Sequence, residues 1–401
     1  MSPKLFLDRI LNGAAVGIVV GLVPNAITGE LFKFLARLMP SISLWATLNE
    51  VVVGLQFTVP VIVGVLIGMQ FGFNAVQTVI VGTASFVGSG AMDFTPDGVM
   101  LVGIGDLINT MLTASVAVLV LAWVGKKLGS LTILFLPILG GGIAGLVGIL
   151  TLPYVRYVTT GVGALVNAIA QQQGLGVLAA VLIAMLFAVM IVSPISTVGV
   201  ALAIGISGPA SGAANLGIAA AAAVLAVGSF RVNNAGVTWS VFLGAMKMMM
   251  GNLLKFPVMV LPLALVSGIT GLVGAFFGIT GTPASAGFGH SGLVGPIAAA
   301  TGMEGSALVV LPKLVIVYFV LPIGLAILVH WLCTSVLKIY SEKIYAFAPV
   351  GAPSSEDAAD EPLDPKTEAV DGTDEKTAAP ADAAIGESTD TPTSTTTSTK
   401  E

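Results

Sequence analysis

The feature that most constrains this chain is a series of long apolar runs that recurs along most of its length. A membrane-spanning helix takes about 20 predominantly apolar residues. Eight runs approach or exceed that length, at roughly 10–25, 48–70, 99–125, 130–152, 174–194, 198–227, 256–278 and 306–335. Because lipid offers backbone amides no hydrogen-bond partner, only helices and closed barrels span a bilayer. Runs of this length predict helices.

Shorter or interrupted apolar segments lie at roughly 74–91, 158–172, 236–250 and 280–298. Only 9% of the 401 residues are charged, against roughly 25% in soluble domains. We therefore predict an all-α polytopic membrane protein in residues 1–345, with about ten transmembrane helices and two re-entrant hairpins.

The remaining segment, residues 346–401, has a different composition. From Gly351 onward it holds 13 acidic residues and 3 lysines, with many Thr, Ala and Pro and few large apolar residues. Such a segment buries too little apolar surface to offset its ordering entropy. We predict a disordered acidic tail, either simply solvated or acting as a docking element.

Basic residues near the span ends predict the orientation, because cytoplasmic loops carry an excess of Lys and Arg. They favour cytoplasmic N- and C-termini and, in a bacterium, the cytoplasmic membrane. These residues are Lys4, Arg9, Lys126, Lys127, Lys338 and Lys343. Lys247 and Lys255 are interpreted in the same way, as cytoplasmic anchors.

Polar residues within apolar runs are candidates for a binding site, because an ionisable group in the membrane is costly. Asp106 and Asn109, in "GVMLVGIGDLINTML", are three residues apart and would share one helix face. They could bind sugar hydroxyls or a cation, or form a structural bond to a neighbouring segment. Glu50 begins another span and would line a site or face interfacial water. Asp93 and Asp97 flank or join a Pro-Asp-Gly turn signal.

Helix-breaking pieces supply further candidates. "IVSPISTVGVALAIGISGPASGAANLGI" interrupts helices with Pro and Gly and offers hydroxyls at Ser193 and Ser196. Discontinuous helices of this kind form binding sites in many transporters. Asn233 and Asn234 open a short amphipathic segment and would cap it or face a cavity.

The stretch "GITGTPASAGFGHSGLVGP", residues 278–296, has no charge and lies between two long apolar runs. Its glycines and prolines disfavour a continuous helix, so we predict a re-entrant element that lines a cavity. His290 would face that cavity beside Ser291, for binding or proton coupling, or have a structural role. We expect the stretch to contribute to a substrate site.

The sequence lacks the motifs of several function classes. There is no Gly-rich ATP-binding loop, and the single cysteine leaves no metal-site spacing. We therefore predict no metal, no cofactor, no catalytic residue in this chain and no nucleic-acid partner.

Three blocks together resemble enzyme IIC, the membrane subunit of the bacterial phosphotransferase system, and within it the stand-alone branch of perfringolysin O regulator-like proteins. They are "GTASFVGSGAMDFTPDGVMLVGIGDLINTM", "SPISTVGVALAIGISGPASGAANLGI" and "GFGHSGLVGPIAAATG". The resemblance implies a homodimer, a scaffold part and a transport part with re-entrant hairpins, and elevator-type movement of a sugar. It also implies possible separate phosphocarrier subunits.

One motif of the family differs in this chain. Sugar-transporting relatives carry Gly-Ile-Thr-Glu-Pro, whose glutamate binds the sugar. This chain has "GITGTP", which is one residue longer, with Gly281 at the place of that glutamate and Thr282 after it. We predict a transporter of a small polar, sugar-like solute, and leave open whether phosphotransfer accompanies transport. Two alternatives stay open: a secondary transporter driven by an ion gradient, and a membrane sensor with a transport-like fold.

Overall fold

The structure is a computed structural model that describes residues 1–124, 127–128, 131–172 and 176–347. Helices precede and follow one short β-hairpin. The N-terminal elements are α1 (Pro3–Pro24), α2 (Glu30–Leu38), α3 (Leu44–Phe57), α4 (Val59–Gln70), α5 (Ala75–Gly88), β1 (Met92–Thr95), β2 (Gly98–Leu101), α6 (Leu107–Val124), α7 (Thr132–Leu136) and α8 (Ile143–Gln171).

The C-terminal elements are α9 (Gly176–Val192), α10 (Thr197–Ile204), α11 (Gly208–Ser229), α12 (Ala235–Leu243), α13 (Met250–Lys255), α14 (Val260–Phe276), α15 (Val294–Gly302), α16 (Ala307–Val315) and α17 (Leu321–Trp331). Short π-helical segments join α7 to α8 and α16 to α17. A 3₁₀ turn, Met246–Met249, precedes α13.

The helices pack around two main apolar cores. The first core is formed chiefly by α1, α4, α5 and α6, with Val63 and Val81 fully buried in it. The second is formed chiefly by α9, α11 and α14, with Phe187 and Ile218 fully buried. Helix α8 contributes to both cores through its two ends, and so do the methionines of residues 246–250. The two bundles therefore meet along these shared segments.

Small residues bring the helices of each bundle close together. Gly13 and Gly17, one turn apart on α1, contact the backbone of α4. A Cβ added at either glycine would lie 2.6 Å from the Cα of Ile67 or Val63, respectively. Stripes of small residues of this kind let membrane helices approach to backbone contact.

Six helical segments of the described residues are long and apolar enough to cross a membrane. A seventh results if α3 and α4, bent by 46° at Thr58, count as one span. The chain is thus an α-helical membrane protein. The finer prediction of about ten transmembrane helices with two re-entrant hairpins remains a prediction.

One predicted span, 99–125, is wrong in its first part. Residues 92–101 form the hairpin β1–β2, paired from Met92 with Leu101 to Thr95 with Gly98, and α6 begins only at Leu107. The physical reason is the Pro-Asp-Gly turn at 96–98, which reverses the chain before the apolar run can become helical. The predicted acidic tail falls almost wholly at 348–401, outside the described residues.

Candidate functional site

A cavity of about 530 Å³ lies where the two bundles meet. Its wall combines segments of α1, α3, α6 and α8 with the α9–α10 junction, the Met246–Met249 turn and the loop before α15. Most of this wall is apolar, and its polar side chains are few. They are Asn25, Gln56, Asp106, Arg156, Thr159, Thr160, Ser196, Thr197, Lys247 and Ser291.

Asp106 lies at the N-terminus of α6. Its backbone N–H donates to the carbonyl of Ser89 at 2.8 Å, which ties it to the end of α5. Its Oδ1 accepts from the backbone N–H of Asn109 at 3.0 Å, as a helix-capping carboxylate does. Its Oδ2 accepts from the hydroxyl of Thr159 at 3.3 Å. A carboxylate has about four acceptor positions, so Asp106 keeps capacity for ligand hydroxyls.

Lys247 has a buried amine in the cavity wall, and 7% of the residue's surface is exposed. Its Nζ donates to the carbonyls of Ser193 at 2.5 Å and Ile195 at 2.9 Å. The interpretation of Lys247 as a cytoplasmic anchor is therefore wrong. The helix break at Pro194 leaves these carbonyls without intrahelical partners, and the ammonium supplies them with donors.

Arg156 enters the cavity from α8. Its guanidinium forms no hydrogen bond or ion pair within the part of the chain that the structure describes. A Cβ at Gly90, another residue of the wall, would lie 2.7 Å from a guanidinium nitrogen, so the arginine packs closely against this glycine.

The junction between α9 and α10 forms the opposite side of the cavity. Ser196 caps α10, its Oγ accepting from the N–H of Gly199 at 3.0 Å. Thr197 donates to the carbonyl of Gly287 at 2.9 Å and so attaches the junction to the loop before α15. Ser291, in that loop, is buried and also lines the cavity. Three of the predicted site residues, Asp106, Ser196 and Ser291, thus share one cavity.

Ser193 contributes its backbone instead of its hydroxyl. Its Oγ donates to the carbonyl of Met190 and accepts from the N–H of Ile195, while its carbonyl binds Lys247. The serine therefore stabilises the helix break behind the cavity wall.

Asn109 is fully buried away from the cavity. Its Nδ2 donates to the carbonyls of Gly88 and Gly148, and its Oδ1 accepts from Thr151. Every hydrogen-bonding position of the amide nitrogen is used within the protein. Of the two roles that the sequence left open for Asn109, ligand binding and a structural bond, its contacts match the structural bond.

His290 does not line the cavity either. Its ring lies between those of Phe242 and Phe319, with centroid distances of 4.9 and 5.4 Å. Its Nε2 is 2.7 Å from the carbonyl oxygen of Phe242. These aromatic contacts keep the ring out of the cavity, although the next residue, Ser291, lines it.

Gly281 lies in a separate polar cluster beside α11. It forms an antiparallel bridge with Gly208, with N–H···O distances of 2.9 and 3.0 Å. A side chain at Gly281 would overlap the Oγ of Ser211 and lie 3.0 Å from the Oγ of Ser285 and 3.1 Å from Nδ2 of Asn215. The position where the resemblance places a sugar-binding glutamate therefore lacks space for one in this arrangement.

Thr282 takes part in the same cluster. Its carbonyl accepts from Ser211 at 2.8 Å, and its N–H donates to Ser285 at 2.9 Å. The first bond attaches the Gly-rich loop to α11, the second lies within the loop, and the threonine is not part of the cavity wall.

The other predicted residues lie outside the cavity. Asn233 binds Ser229, the carbonyl of Tyr345 and the N–H of Phe347, so it fixes the segment after α17. Asn234 caps α12 by accepting from Val237 at 2.9 Å. Glu50 lies on an exposed side of α3.

Reasoning from the sequence missed Arg156 and misassigned Lys247. Both are ionisable residues within apolar segments, which is the signal that identified Asp106. Arg156 follows an apolar run within "LPYVRYVTT", and Lys247 lies in "GAMKMMMG". Together the cavity groups can accept from hydroxyls, donate to oxygens and bind negative charge.

The comparison with protein families matches residues 8–347 to the phosphotransferase system EIIC. No curated protein and no solved structure matches the chain. The matched range contains every residue of the cavity wall. With its apolar helices, the protein is an integral membrane protein of the sugar-permease type. The chain belongs to the phosphotransferase system EIIC family.

Proposed function

We propose that the protein moves a small polar, sugar-like solute that binds in the cavity between the two bundles. The observation that carries this proposal is the cavity itself: about 530 Å³, mostly apolar, with a few converging polar groups from both bundles. Ligand sites in proteins have this size and character. Asp106, Ser196 and Ser291 would bind the solute's hydroxyls.

An elevator-type mechanism is the movement that we propose. The second bundle, carrying the α9–α10 junction, would move against the first bundle and take the solute with it. The position of the cavity at the boundary between two separate apolar cores supports this mechanism. We propose further that the protein is a homodimer of the bacterial cytoplasmic membrane with both termini cytoplasmic, as the family resemblance and the basic residues suggest.

A second candidate is transport driven by an ion gradient, without phosphotransfer. The packing at Gly281 favours it, because the cluster of Ser211, Ser285 and Asn215 occupies the space that an acidic side chain would need. Uptake by purified protein in sealed proteoliposomes distinguishes the two. Labelled hexoses and related metabolites are tested with proton or sodium gradients alone, and then with phosphocarrier proteins and phosphoenolpyruvate.

Uptake of unmodified solute on a gradient alone supports the second candidate. Uptake only with phosphocarriers, with phosphorylated product inside, supports the phosphotransferase route. The absence of uptake under both conditions would overturn the proposal that this protein is a transporter and favour a sensor.

The substitution Asp106→Asn tests the site. Asparagine keeps the helix cap but removes the charge, so we expect uptake to fall about tenfold or more, as for loss of a hydrogen bond to a charged group. Asp97→Asn, in the exposed hairpin turn, is the matched control and should leave uptake unchanged. Wild-type uptake by Asp106→Asn would exclude Asp106 from the site.

A further inference from the structure

We propose that the solute carries an anionic group, a carboxylate or a phosphate ester, bound between Arg156 and Lys247. This inference rests on the proposed function and specifies the substrate class of the same cavity. It follows from the charges in the wall and from what already binds each of them.

The ionisable side chains of the wall are two bases, Arg156 and Lys247, and one carboxylate, Asp106. With both bases protonated the wall is net positive. Both oxygens of Asp106 already accept hydrogen bonds from within the protein, and no carboxylate of the described residues forms an ion pair with either cation. The carboxylate thus does not neutralise the cations by direct contact.

In its ammonium form Lys247 has one donor to spare. An ammonium has three N–H groups, and two of them bind the carbonyls of Ser193 and Ile195. Carbonyl dipoles compensate a buried charge only in part, and a buried cation without a counter-charge is costly. An anion in the cavity would supply the counter-charge and so stabilise the ammonium form.

The guanidinium of Arg156 has a geometry that is complementary to an anionic group. Its guanidinium is planar and always charged, and it binds carboxylate or phosphate oxygens in a bidentate manner. Within the described part of the chain the group has no partner, and it packs closely against Gly90 at the wall. A neutral hexose would leave these donors without the acceptor that suits them best.

The anionic group could come from either of two classes of compound. A sugar acid would bring the anionic group as part of the transported solute, whereas a sugar phosphate would bring it as the product of phosphotransfer. The test therefore includes both kinds of compound beside the neutral sugar of the same size.

The experiment measures binding of labelled glucose, glucuronate and glucose 6-phosphate to the purified full-length protein in lipid nanodiscs, at one fixed ionic strength. We expect at least one anion to bind about tenfold or more tightly than glucose. Arg156→Gln should weaken binding of that anion about tenfold, and more than it changes binding of glucose, whereas Arg156→Lys should keep part of the preference. Arg231→Gln, which removes an exposed cation paired with Glu342 outside the cavity, is the matched control and should change nothing.

Each outcome of the binding experiment supports or overturns the anionic group. Preference for glucuronate alone identifies a sugar acid, and preference for glucose 6-phosphate alone identifies a phosphorylated product. Equal or stronger binding of glucose, unaffected by Arg156→Gln, overturns the anionic group but leaves the proposed transport of a sugar intact. If none of the three compounds binds the folded wild-type protein, the anionic inference fails, and the uptake assay separately decides the transport proposal. Since Lys247 also satisfies the carbonyls at Pro194, Arg156 is the residue that tests binding without disturbing that helix break.

Discussion

At the scale of single residues, the structure separates Asp106 from Asn109 although the two lie three positions apart. Asp106 precedes α6 and faces the cavity, whereas Asn109 lies within the helix and joins α6 to the end of α5 and to α8. Two polar residues of one short motif thus have different roles, because the helix begins between them and turns the second into the bundle.

This difference makes Asn109→Ala a test of stability. The substitution would remove the side-chain donor of the Gly88 carbonyl and one of the donors of the Gly148 carbonyl, which also accepts from Thr151 at 3.2 Å. A buried group left without a partner costs about 1–3 kcal/mol. We expect a lower thermal unfolding midpoint of the purified protein in detergent, measured by intrinsic fluorescence. Thr160→Ala is the control, because Thr160 is exposed on α8 and its hydroxyl binds only carbonyls of its own helix.

A binding role for Asn109 makes the opposite prediction. If Asn109→Ala unfolds at the wild-type temperature while solute binding is lost, Asn109 acts on the solute and its structural role here is wrong.

At the scale of helices, backbone contact holds the second bundle together. Gly217 of α11 faces the backbone of Ala184 on α9, where an added Cβ would lie 2.7 Å from the Ala184 Cα. On the neighbouring helix, a Cβ at Gly271 of α14 would lie 2.6 Å from the Cβ of Ala184. Three helices therefore converge on one alanine, and the bundle carrying the α9–α10 junction depends on their close approach.

We predict that Gly217→Ala destabilises the protein by separating α11 from α9, at about 1–3 kcal/mol for an overpacked core. The control is Gly324→Ala on α17, where an added Cβ meets no atom within 4 Å. Alanine also favours the helix by up to about 1 kcal/mol over glycine. Thermal unfolding of both variants should give opposite shifts, and equal shifts would contradict the close packing of α11 on α9.

At the scale of the whole molecule, the cavity lies on the boundary between two apolar cores, and α8 spans that boundary. A ligand held there contacts both bundles, so relative movement of the bundles changes its surroundings. This arrangement would couple binding to bundle position, as the movement that we propose requires.

The cavity should therefore admit water and reagents that the cores exclude. We predict that Thr160→Cys, exposed on the cavity wall, reacts with a charged maleimide far faster than Ala117→Cys, which is fully buried in the first core. The native Cys333 is 2% exposed and provides a low background. Mass spectrometry measures the labelled fraction. Compounds that bind in the nanodisc assay should slow labelling at Thr160→Cys, and equal labelling of both variants would contradict the cavity.

Local sequence patterns were enough to predict the class of fold and several local features. Long apolar runs require helices because lipid cannot satisfy an unpaired backbone, and the six or seven candidate spans of the described residues overlap those runs. The Pro-Asp-Gly turn and the helix break at Pro194 were also readable, since proline and glycine act on the backbone next to them. The same turn also shows where this reasoning fails, because the apolar residues after it were predicted to begin a helical span, whereas the structure has a hairpin there.

Which polar groups meet depends on how distant segments pack in three dimensions. Lys247 binds the carbonyl of Ser193 across 54 positions of the chain, and Asn109 binds that of Gly148 across 39. A local pattern carries no information about such partners, because they are chosen by how helices from distant segments pack. The cavity combines wall segments from both bundles for the same reason, so the sequence could identify candidate polar residues, whereas helix packing determined whether each faces the cavity or its neighbours.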